Sequence, residues 1–514
     1  MATIYSPLPL YAVLAPLGGA VLILVTGNKK PNLREAWTLL AALAQCVFVY
    51  AMLSPVLQGS VIEYSLVTIY RDTAFMFRVD AFGMVFALLS SFLWVIVSIY
   101  SIGYMRSLQE HAQTRYFCCF ALALMGAVGV ALAGNLITLF MFYEILTIST
   151  FPLVVHKETP EAMKAGQKYL IYLMTGAVFI LFSMGCVYYI SGTMDFAAGG
   201  FLQGKGSPQI LKVILVCFMI GFGSKAALMP FHEWLPSAMV ALTPVSALLH
   251  AVAVVKAGVF CVLRVILYVF GPALIKQLNV WAALLYIVSF TVIAANIVAL
   301  TQDNLKRRLA FSTISSLAMI ILGACLLNAD SARGAILYIP FHGFMKITLF
   351  MCSGAIFLKT GKKLVSELDG IGRQMPLTMA AFSIAAAGLV GIPPACGFIS
   401  KWYLCIGAYQ SQETWFLFVF LISSLLDAAY LFPIVYSAFF KKTDSEQPQV
   451  SEAPLLIVIP LALTALFSIL FFFSPDLIFN FYNLAGRVVS SLSWGICCSG
   501  KIEKCSSARL LFWV

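Results

Sequence analysis

The amino-acid sequence predicts an all-α polytopic membrane protein with about fourteen transmembrane helices. Of its 514 residues, 61% are hydrophobic and only 10% are charged, and the mean hydropathy is +0.96. A soluble protein would have about a quarter of its residues charged. Apolar runs of about 20 residues, long enough to cross roughly 30 Å of hydrocarbon, recur along most of the chain. Lipid and other helices are therefore the expected surroundings of most side chains.

The apolar runs give fourteen predicted spans and four larger parts. A retained first helix is expected, because no basic residue precedes Lys29 as it would in a cleaved signal peptide. The predicted spans are residues 8–26, 36–56, 79–104, 116–133, 135–155, 169–191, 209–229, 243–268, 278–300, 309–328, 334–358, 375–409, 415–440 and 454–474. The parts are helices 1–3 (residues 1–115), a first five-helix set (116–268), a second five-helix set (278–440), and helix 14 with the C-terminal tail (454–514).

The basic residues between the spans predict the orientation of the chain. Lys and Arg are enriched in the connections that lie in the cytoplasm. Alternate connections, beginning with the first, contain seventeen basic residues, and the remaining connections contain six. This difference predicts that both termini lie outside, with the protein in the inner (plasma) membrane. The seventeen are Lys29, Lys30, Arg34, Arg106, Arg115, Lys157, Lys164, Lys168, Lys306, Arg307, Arg308, Lys359, Lys362, Lys363, Arg373, Lys441 and Lys442, and the six are Arg71, Arg78, Lys205, Lys212, Lys276 and Arg333.

Residues that break helices occur at two of the predicted spans, the seventh and the twelfth. Pro230 directly follows the seventh span, and a proline removes a backbone donor and clashes with the preceding turn. The twelfth span has two glycines and two prolines within residues 391–397. Broken helices occur inside membranes only where protein or a water-filled cavity satisfies the freed backbone groups. Two breaks five spans apart therefore predict a transporter with two inverted five-helix repeats.

Ionisable side chains inside the spans are the candidate functional residues. A charge at the bilayer centre costs about 2.5–3.5 kcal/mol on insertion scales, so such residues usually mark ion pathways. Structural alternatives are a carboxylate paired with a cation, a lysine that reaches the interface with its ammonium group, and a hydrogen-bonded core histidine. Arg264, near the end of the eighth span, is expected to reach the interface. The candidates are Glu144, Lys225, His250, Lys256, His342, Lys346, Lys401 and Asp427.

Lysine, carboxylate and histidine side chains together suit proton movement through a protein interior. A desolvated lysine holds its proton while a carboxylate is near and releases it when the carboxylate withdraws. Histidine titrates near neutral pH and both donates and accepts hydrogen bonds. Pairing and burial shift a pKa by about 2–3 units, or roughly 3–4 kcal/mol. Moving one charge across 100 mV costs about 2.3 kcal/mol, so such a relay can act against a membrane potential.

Five motifs within about residues 70–440 are specific enough to indicate a family. They are Ser224-Lys225-Ala-Ala-Leu-Met-Pro230-Phe-His232-Glu-Trp-Leu-Pro236, Thr243-Pro-Val-Ser-Ala-Leu-Leu-His250-Ala-Val-Ala-Val-Val-Lys256-Ala-Gly258, Asp303-Asn-Leu-Lys306-Arg-Arg-Leu-Ala-Phe-Ser312, His342-Gly-Phe-Met-Lys346 and Gly391-Ile-Pro-Pro-Ala-Cys-Gly-Phe-Ile-Ser-Lys401-Trp402. Together they resemble the antiporter-like, proton-conducting membrane subunits of respiratory complex I and of multi-subunit cation–proton antiporters. The resemblance implies fourteen helices with two inverted five-helix repeats.

The resemblance also implies roles for individual residues. Glu144 matches the carboxylate of the fifth helix, although Tyr143 stands before it where tryptophan is usual. Lys225 matches the ion-pair partner of that carboxylate, and Lys256 matches the central relay lysine. The terminal lysine is Lys401, and the connecting histidines are His250 and His342. Lys346 lies four residues after His342 on the same helix face and is a weaker candidate for the relay.

Three functions are open at this point. The first is a proton-translocating membrane subunit of a redox-driven complex, of the NADH:quinone oxidoreductase or membrane hydrogenase type. The second is a subunit of a multi-subunit Na⁺/H⁺ (monovalent cation/proton) antiporter. The third, less favoured because the lysine relay is complete, is a non-pumping membrane scaffold. The expected partners are other membrane subunits, the lipid bilayer, and protons with Na⁺ as a possible second ion.

The sequence offers no recognisable site for a cofactor. The thirteen cysteines contain no Cys-x-x-Cys pair, so neither a zinc site nor an iron–sulfur cluster is indicated. No nucleotide-binding glycine motif stands in a suitable context, and the scattered basic residues do not form a nucleic-acid-binding surface. A translocase subunit without redox chemistry of its own is therefore expected, with no bound nucleotide, nucleic acid, metal or cofactor.

Overall fold

A computed structural model describes residues 2–70, 73–411, 413–441, 450–492 and 494. Two residues of the charge count, Arg71 and Lys442, lie outside these ranges. So does the whole tail after residue 494.

Within these ranges, thirteen helices are long and apolar enough to cross a membrane, which confirms a polytopic helical protein. They are Leu8–Thr26, Pro31–Leu57, Ala81–Ser107, Gln113–Leu132, Leu136–Val154, Pro160–Ser191, Pro208–Lys225, Thr243–Phe270, Trp281–Thr301, Leu305–Cys325, Ala329–Thr360, Thr414–Phe440 and Leu455–Phe473. The predicted twelfth span is a pair of shorter helices, Pro376–Val390 and Gly397–Gln410. The first eleven of the thirteen are called the first to eleventh spans below, the pair the twelfth, and the last two the thirteenth and fourteenth.

Short helices connect or flank several of the spans. They are Trp234–Ser237, Ala238–Val240, Pro272–Gln277, Val365–Glu367, Ile371–Gln374 and Phe481–Ser490. The core of the molecule is formed by the eighth, tenth and eleventh spans, whose most apolar segments are buried on all sides by other helices. A helix that is apolar all round must be enclosed in this way. Most of the candidate residues lie on or against these three central helices.

The predicted seventh span ends earlier than its hydropathy indicates. The helix stops at Lys225, five residues before Pro230. The ring of a proline clashes with the carbonyl four residues earlier, so the helix cannot continue through residue 226 to the proline. The indole of Trp234 folds back and donates to the Ser224 carbonyl at 2.8 Å. This bond satisfies one of the carbonyls that the helix end leaves free.

The predicted break in the twelfth span is also present. The first helix ends at Gly391, whose φ of 92° is left-handed, a conformation that favours glycine. The second helix begins at Gly397, and the N–H of Cys396 donates to the Ser468 carbonyl of the fourteenth span at 2.8 Å. Protein therefore satisfies the freed backbone at this break, as the membrane interior requires.

The eighth span is not a uniform α-helix. Two π-helical segments, Leu248–Val252 and Val265–Phe270, flank the α-helical segment Val254–Arg264. Such wide turns are rare and frequently occur at functional sites. His250 lies in the first π-helical segment, and Lys256 lies in the α-helical segment that follows it.

A small sheet is an addition to the predicted helical architecture. β1 (Thr3–Tyr5) pairs in parallel with β2 (Val61–Tyr70), which pairs antiparallel with β3 (Thr73–Val79). β2 contains many β-branched and aromatic residues, which favour strands. The region lies in the connection between the predicted spans 36–56 and 79–104. Glu63 faces Arg78 across the hairpin, and their side chains pair at 2.6 Å.

The expectation that Arg264 reaches the interface is wrong. The residue is 2% exposed, and its Nη2 donates to Asp80 Oδ1 at 2.9 Å. The guanidinium carbon also lies 4.3 Å from the ring centroid of Tyr268. An acid and an aromatic face together offset the desolvation of a buried arginine, and the sequence did not indicate that Asp80 would be its neighbour.

Helix starts, caps and a backbone bridge of the fifth and sixth spans recur in the tenth and eleventh spans 169 residues later. The corresponding positions are 135 and 304, 160 and 329, 192 and 361, and 195 and 364. Asn135 and Asn304 each cap the helix that follows. The next helix has 32 residues in both cases and ends at a left-handed glycine. Each asparagine then bridges to the segment beyond that helix. The inverted orientation of the two sets stays a prediction.

Candidate functional site

Four of the predicted lysines lie in the interior of the helix bundle. Lys225, Lys256 and Lys346 are 0% exposed, and Lys401 is 6% exposed. They come from the seventh, eighth, eleventh and twelfth spans. A buried ammonium group needs polar partners to offset its desolvation. The partners of each lysine therefore show how the site is built.

Lys225 is held by the fifth span beside Glu144. Its ammonium nitrogen donates to the Tyr143 carbonyl and to Thr147 Oγ1, both at 2.7 Å. It also lies 3.2 Å from the ring centroid of Tyr143. The aromatic residue that replaces the usual tryptophan thus contacts the lysine through both its ring and its backbone.

Glu144 and Lys225 do not form an ion pair in this conformation. Both carboxylate oxygens of Glu144 are buried and have no hydrogen-bond partner among the described residues. The residues that bind Lys225 precede Glu144 by one position and follow it by three. The carboxylate and the ammonium group are close enough to interact through space.

Lys256 contacts the predicted connecting histidine of the eleventh span. Its ammonium nitrogen lies 2.7 Å from Nδ1 of His342, so the eighth span is joined to the eleventh through two ionisable groups. The other ring nitrogen of His342 is buried and has no protein partner within the described ranges. The Tyr338 ring, one helical turn away, lies edge-on to the imidazole with a centroid distance of 5.6 Å.

His250 is buried in the same region without a direct bond to a lysine. Neither of its ring nitrogens has a hydrogen-bond partner in the part of the chain that is described. Its ring packs against Phe350 with centroids 4.6 Å apart. The imidazole and the Lys346 ammonium group are near enough to interact electrostatically. His250 therefore lies beside the row formed by the four buried lysines, Lys225, Lys256, Lys346 and Lys401, but it has no hydrogen bond to any of them.

A continuous chain of hydrogen bonds joins Lys346 to Lys401. The ammonium nitrogen of Lys346 donates to Ser312 Oγ at 2.6 Å. The hydroxyl oxygens of Ser312 and Tyr430 are 2.7 Å apart. Tyr430 also donates to Asp427 Oδ1, and Lys401 donates to Asp427 Oδ2 at 2.9 Å. Five side chains from the tenth to the thirteenth spans therefore form one connected path.

Sequence reasoning identified the two lysines of this path but missed its middle. Asp427 was noted as an isolated acid without being assigned to the relay, and Ser312 was quoted only as part of a motif. Tyr430 was not singled out. Its signal was its position three residues after Asp427, which places both side chains on one face of the helix.

Lys401 is anchored at the break of its own span. Besides Asp427, its ammonium nitrogen donates to the Val390 carbonyl at 3.3 Å and to Ser424 Oγ at 3.0 Å. Val390 is the last residue of the first half of the twelfth span, so its carbonyl has no helical partner. A Cβ added to Gly391 would lie 2.9 Å from Lys401 Cδ. The glycine therefore leaves room for the lysine, whose charge is buried rather than directed to the interface.

A cavity of about 590 Å³ lies on the side of the bundle that is predicted to be cytoplasmic. Thr243, the first residue of the eighth span, lines it, and the Thr243 hydroxyl lies 3.3 Å from that of Tyr104. The cavity thus reaches the end of the helix that contains His250 and Lys256. Its basic lining residues are Lys157, Lys164, Lys168, Lys306, Arg307, Lys362 and Lys363.

A polytopic helical bundle with ionisable groups in its interior is typical of membrane proteins that move ions. The chain belongs to the family described as NADH:quinone oxidoreductase/Mrp antiporter, TM, whose model matches residues 133–427. The match includes every candidate residue listed for the relay, and it confirms the resemblance that the motifs indicated.

Relatives of the chain occur in both branches of this family. It is 32% identical over 362 residues to NADH-quinone oxidoreductase subunit N of Desulforudis audaxviator, covering 69% of this chain and 70% of the relative. It is 29% identical over 504 residues to F(420)H(2) dehydrogenase subunit L of Methanosarcina mazei, covering 90% and 73%. It is 29% identical over 503 residues to Na(+)/H(+) antiporter subunit A1 of Staphylococcus aureus, covering 91% of this chain and 61% of that relative.

Solved structures share the fold at lower sequence identity. A chain in the Mrp complex from Dietzia sp. DQ12-45-1b superposes with a TM-score of 0.83 at 19% identity, covering 95% of this chain and 97% of that one. A chain of the membrane-bound sulfane sulfur reductase, an archaeal respiratory membrane complex, superposes with a TM-score of 0.81 at 23% identity, covering 95% and 100%. Both similarities establish the architecture.

Proposed function

We propose that the chain is a proton-translocating, antiporter-like membrane subunit of a redox-driven complex of the NADH:quinone oxidoreductase or membrane hydrogenase type. The relatives named as oxidoreductase and dehydrogenase subunits support this choice. Its partners would be other membrane subunits, and the electron transfer would take place in those partners. The chain itself would move protons through its buried lysines.

The observation that supports the proposal most strongly is the hydrogen-bonded path from Lys346 to Lys401. Proton transfer requires heavy atoms about 2.6–3.2 Å apart. The donor–acceptor distance is 2.6 Å from Lys346 to Ser312 and 2.7 Å between Ser312 and Tyr430. It is 2.9 Å from Lys401 to Asp427. The Lys256 to His342 step is 2.7 Å. Separate polar partners would be enough to offset the desolvation of structural lysines, whereas the partners of Lys346 and Lys401 are bonded to each other through Tyr430.

Water would complete the path between these two hydrogen-bonded groups. Both nitrogens of His250 and Nε2 of His342 are buried without a protein partner among the described residues. Buried polar atoms are nearly always paired with protein or with ordered water. We infer that water molecules bind these nitrogens and connect His342 to Lys346, one turn further along the eleventh span. Each histidine would then act as a station between lysines.

Glu144 and Lys225 would control when the lysines of the row take up protons. A nearby carboxylate stabilises the charged form of a lysine, and its withdrawal favours release of the proton. Lys225 lies beside Glu144 but is bound to other atoms of the fifth span. Switching between these partners and the free carboxylate would change the charge next to Lys256. Direct contact between the stations is not required, because buried charges act on each other over several ångströms.

The cavity lined by Thr243 is the proposed route by which protons reach the row from the cytoplasm. It lies among connections that the distribution of basic residues assigns to the cytoplasmic side, with both termini outside and the protein in the plasma membrane. Its inner end is at the eighth span. The far end of the row, at Lys401, would then release protons toward the outside.

We also propose that residues 116–268 and 278–440 are two inverted repeats. The constant 169-residue spacing of helix starts, caps and bridges supports corresponding positions in the two sets, as in 135 to 304 and 192 to 361. An experimental structure in which the fourth to eighth spans do not superpose on the ninth to thirteenth, after a two-fold rotation about an axis in the membrane plane, would refute it.

A Na⁺/H⁺ antiporter subunit is the second candidate function. The antiporter relative aligns over 91% of this chain, although the chain spans only 61% of that relative. The two functions differ in their energy source. Inside-out vesicles should acidify on addition of the electron donor of the complex if the first function is right. Proton movement that follows an imposed Na⁺ gradient, and ignores electron donors, would favour the second.

The variant Glu144→Gln separates both functions from a scaffold. Glutamine keeps the shape of the side chain but removes the charge that would act on Lys225. We expect donor-driven proton uptake to fall at least tenfold while native gels show an assembled complex. Glu367→Gln, which changes an exposed acid in the short helix Val365–Glu367, is the matched control and should retain uptake. Unchanged uptake in Glu144→Gln would support a scaffold.

A further inference from the structure

Three potential metal ligands lie together at the membrane-flanking end of the bundle, outside the lysine row. Glu110 and His111 are in the connection between the third and fourth spans, and His156 follows the fifth span. One ligand atom from each residue lies within 4.8 Å of the other two. Nδ1 of His111 is 3.6 Å from Oε2 of Glu110, and the rings of His111 and His156 have centroids 4.8 Å apart.

His156 is the residue whose environment calls for a ligand. It is 0% exposed, yet both of its ring nitrogens lack a hydrogen-bond partner within the described ranges. Leaving a buried polar group unpaired is unfavourable, because the group loses its hydrogen bonds to water. Burial lowers the pKa of His156 to about 4, so the imidazole is neutral, which is the form that binds metals. A cation bound to a ring nitrogen would remove most of this penalty.

The charges around the three residues permit a cation. Arg115 is the nearest positive group, and its Nη2 donates to the His156 carbonyl at 3.2 Å. Its Nη1 is paired with Glu158 Oε1 at 2.5 Å. That pairing lowers the pKa of Glu158, so the acid is ionised at neutral pH and offsets the arginine. The Glu110 carboxylate then supplies the local negative charge.

We propose that Glu110, His111 and His156 bind one Zn²⁺ ion, with water in the fourth position. Two imidazoles and a carboxylate are a ligand set typical of zinc. Tetrahedral ligands at about 2.0–2.1 Å from the metal are about 3.4 Å apart. The longest present separation, 4.8 Å, must therefore shorten, which side-chain rotations can achieve. The His111 side chain is 49% exposed and gives the ion access from solvent.

The site would join two connections of the chain. One follows the third span, and the other follows the fifth span, which contains Glu144. Zinc would hold the end of the fifth span in place. The cysteine spacing could not reveal such a site, because its ligands are histidines and an acid separated by 45 residues along the chain, from His111 to His156. The binding of zinc is independent of the proposed proton relay.

The test is zinc binding by the purified, chelator-treated full complex. Calorimetry with Zn²⁺ should show one site that needs this chain, and Glu110→Gln, His111→Ala and His156→Ala should each weaken it at least tenfold, since even outer-shell partners of metal sites are worth about 10–100-fold. His232→Ala removes another partly buried histidine and is the matched control. It should leave the affinity unchanged.

Two further measurements keep the test decisive. Glu110 and His111 are not part of the core, so their variants should fold even if His156→Ala does not. The Co²⁺ derivative should show no thiolate-to-metal charge-transfer band, which excludes binding by the free cysteines. Absence of a stoichiometric site, or an affinity unchanged in both Glu110→Gln and His111→Ala, would overturn the proposal.

Discussion

Lys401 illustrates, at the scale of one residue, how a charge is kept inside the bundle. Its ammonium group has an acid, a hydroxyl and a free carbonyl as partners, from Asp427, Ser424 and Val390. Removing one partner of a buried ion pair destabilises a protein by about 3–5 kcal/mol, because the other charge is left uncompensated. A structural role and a transport role therefore predict different responses to a substitution that keeps the charge.

We expect Lys401→Arg to impair proton uptake strongly while partner subunits still bind. Arginine retains a positive charge beside Asp427 but does not deprotonate in proteins. Proton uptake by vesicles, measured together with assembly on native gels, separates titration from electrostatics. Lys276→Arg, an exposed lysine beyond the eighth span, is the control. Full uptake by Lys401→Arg would return this residue to a structural role.

Tyr430 offers a second test at the scale of one atom. Tyr430→Phe removes the hydroxyl that joins Ser312 to Asp427 and leaves the ring in place. Uptake should fall about tenfold or more, as expected when a positioned proton donor is lost. Tyr116→Phe removes another buried hydroxyl, which is bonded to Ser101 at 3.1 Å, and should leave uptake intact. Equal uptake in the two variants would show that protons bypass Tyr430.

The sequence predicted the ionisable residues of the path but not the hydroxyl groups that connect them. A lysine in an apolar helix is conspicuous because of its insertion cost. A serine or tyrosine in the same position is not, since both occur in many membrane helices. The sequence also could not predict that Glu144 and Lys225 do not form an ion pair with each other. It depends on which carbonyl and hydroxyl the lysine finds on the fifth span, and sequence spacing does not specify this.

At the scale of helices, length and hydropathy predicted the spans well but their ends less well. The sixth helix begins at Pro160, with Thr159 as its cap, nine residues before the predicted start at residue 169. The missed turns contain Lys164 and Lys168, whose charges end an apolar run without ending a helix. Conversely, the apolar run of the seventh span continues past Lys225, where Pro230 forbids the helix.

The break of the twelfth span gives a prediction about an element. We expect Gly391→Ala to lower both thermal stability and proton uptake. Its left-handed φ of 92° strains any other residue, and the new Cβ would also meet the Lys401 side chain at 2.9 Å. Strain of this kind is worth about 1–3 kcal/mol.

A matched glycine isolates the contact with Lys401. Gly361 is also left-handed, with φ of 72°, but an added Cβ there would have nothing within 4 Å. Gly361→Ala should therefore lose stability through the backbone alone and keep its proton uptake. Thermal unfolding in detergent and uptake in vesicles would be compared for the two variants. An equal loss of uptake in both would contradict a specific role for the space at Gly391.

At the scale of the whole molecule, buried and exposed apolar surfaces are unevenly distributed. The most apolar segments of the eighth, tenth and eleventh spans are fully buried, whereas less than two fifths of the corresponding segment is buried in the first, second, sixth and thirteenth spans. The polar row follows the enclosed helices, which are shielded from bulk solvent, so that charges interact most strongly there. We expect these less buried helices to face lipid and neighbouring membrane subunits.

The central claim is that protons cross the membrane through this enclosed row, and Lys256 is its middle station. Lys256→Met keeps the length of the side chain and removes the group that contacts His342 at 2.7 Å. Lys276→Met changes an exposed lysine in the same way. The direct measurement is proton uptake per electron-donor molecule oxidised, in vesicles with equal amounts of assembled complex. If protons pass through the row, Lys256→Met should lower this ratio by the number of protons that this subunit moves, and Lys276→Met should leave it unchanged. An unchanged ratio in both variants would contradict proton movement through the row.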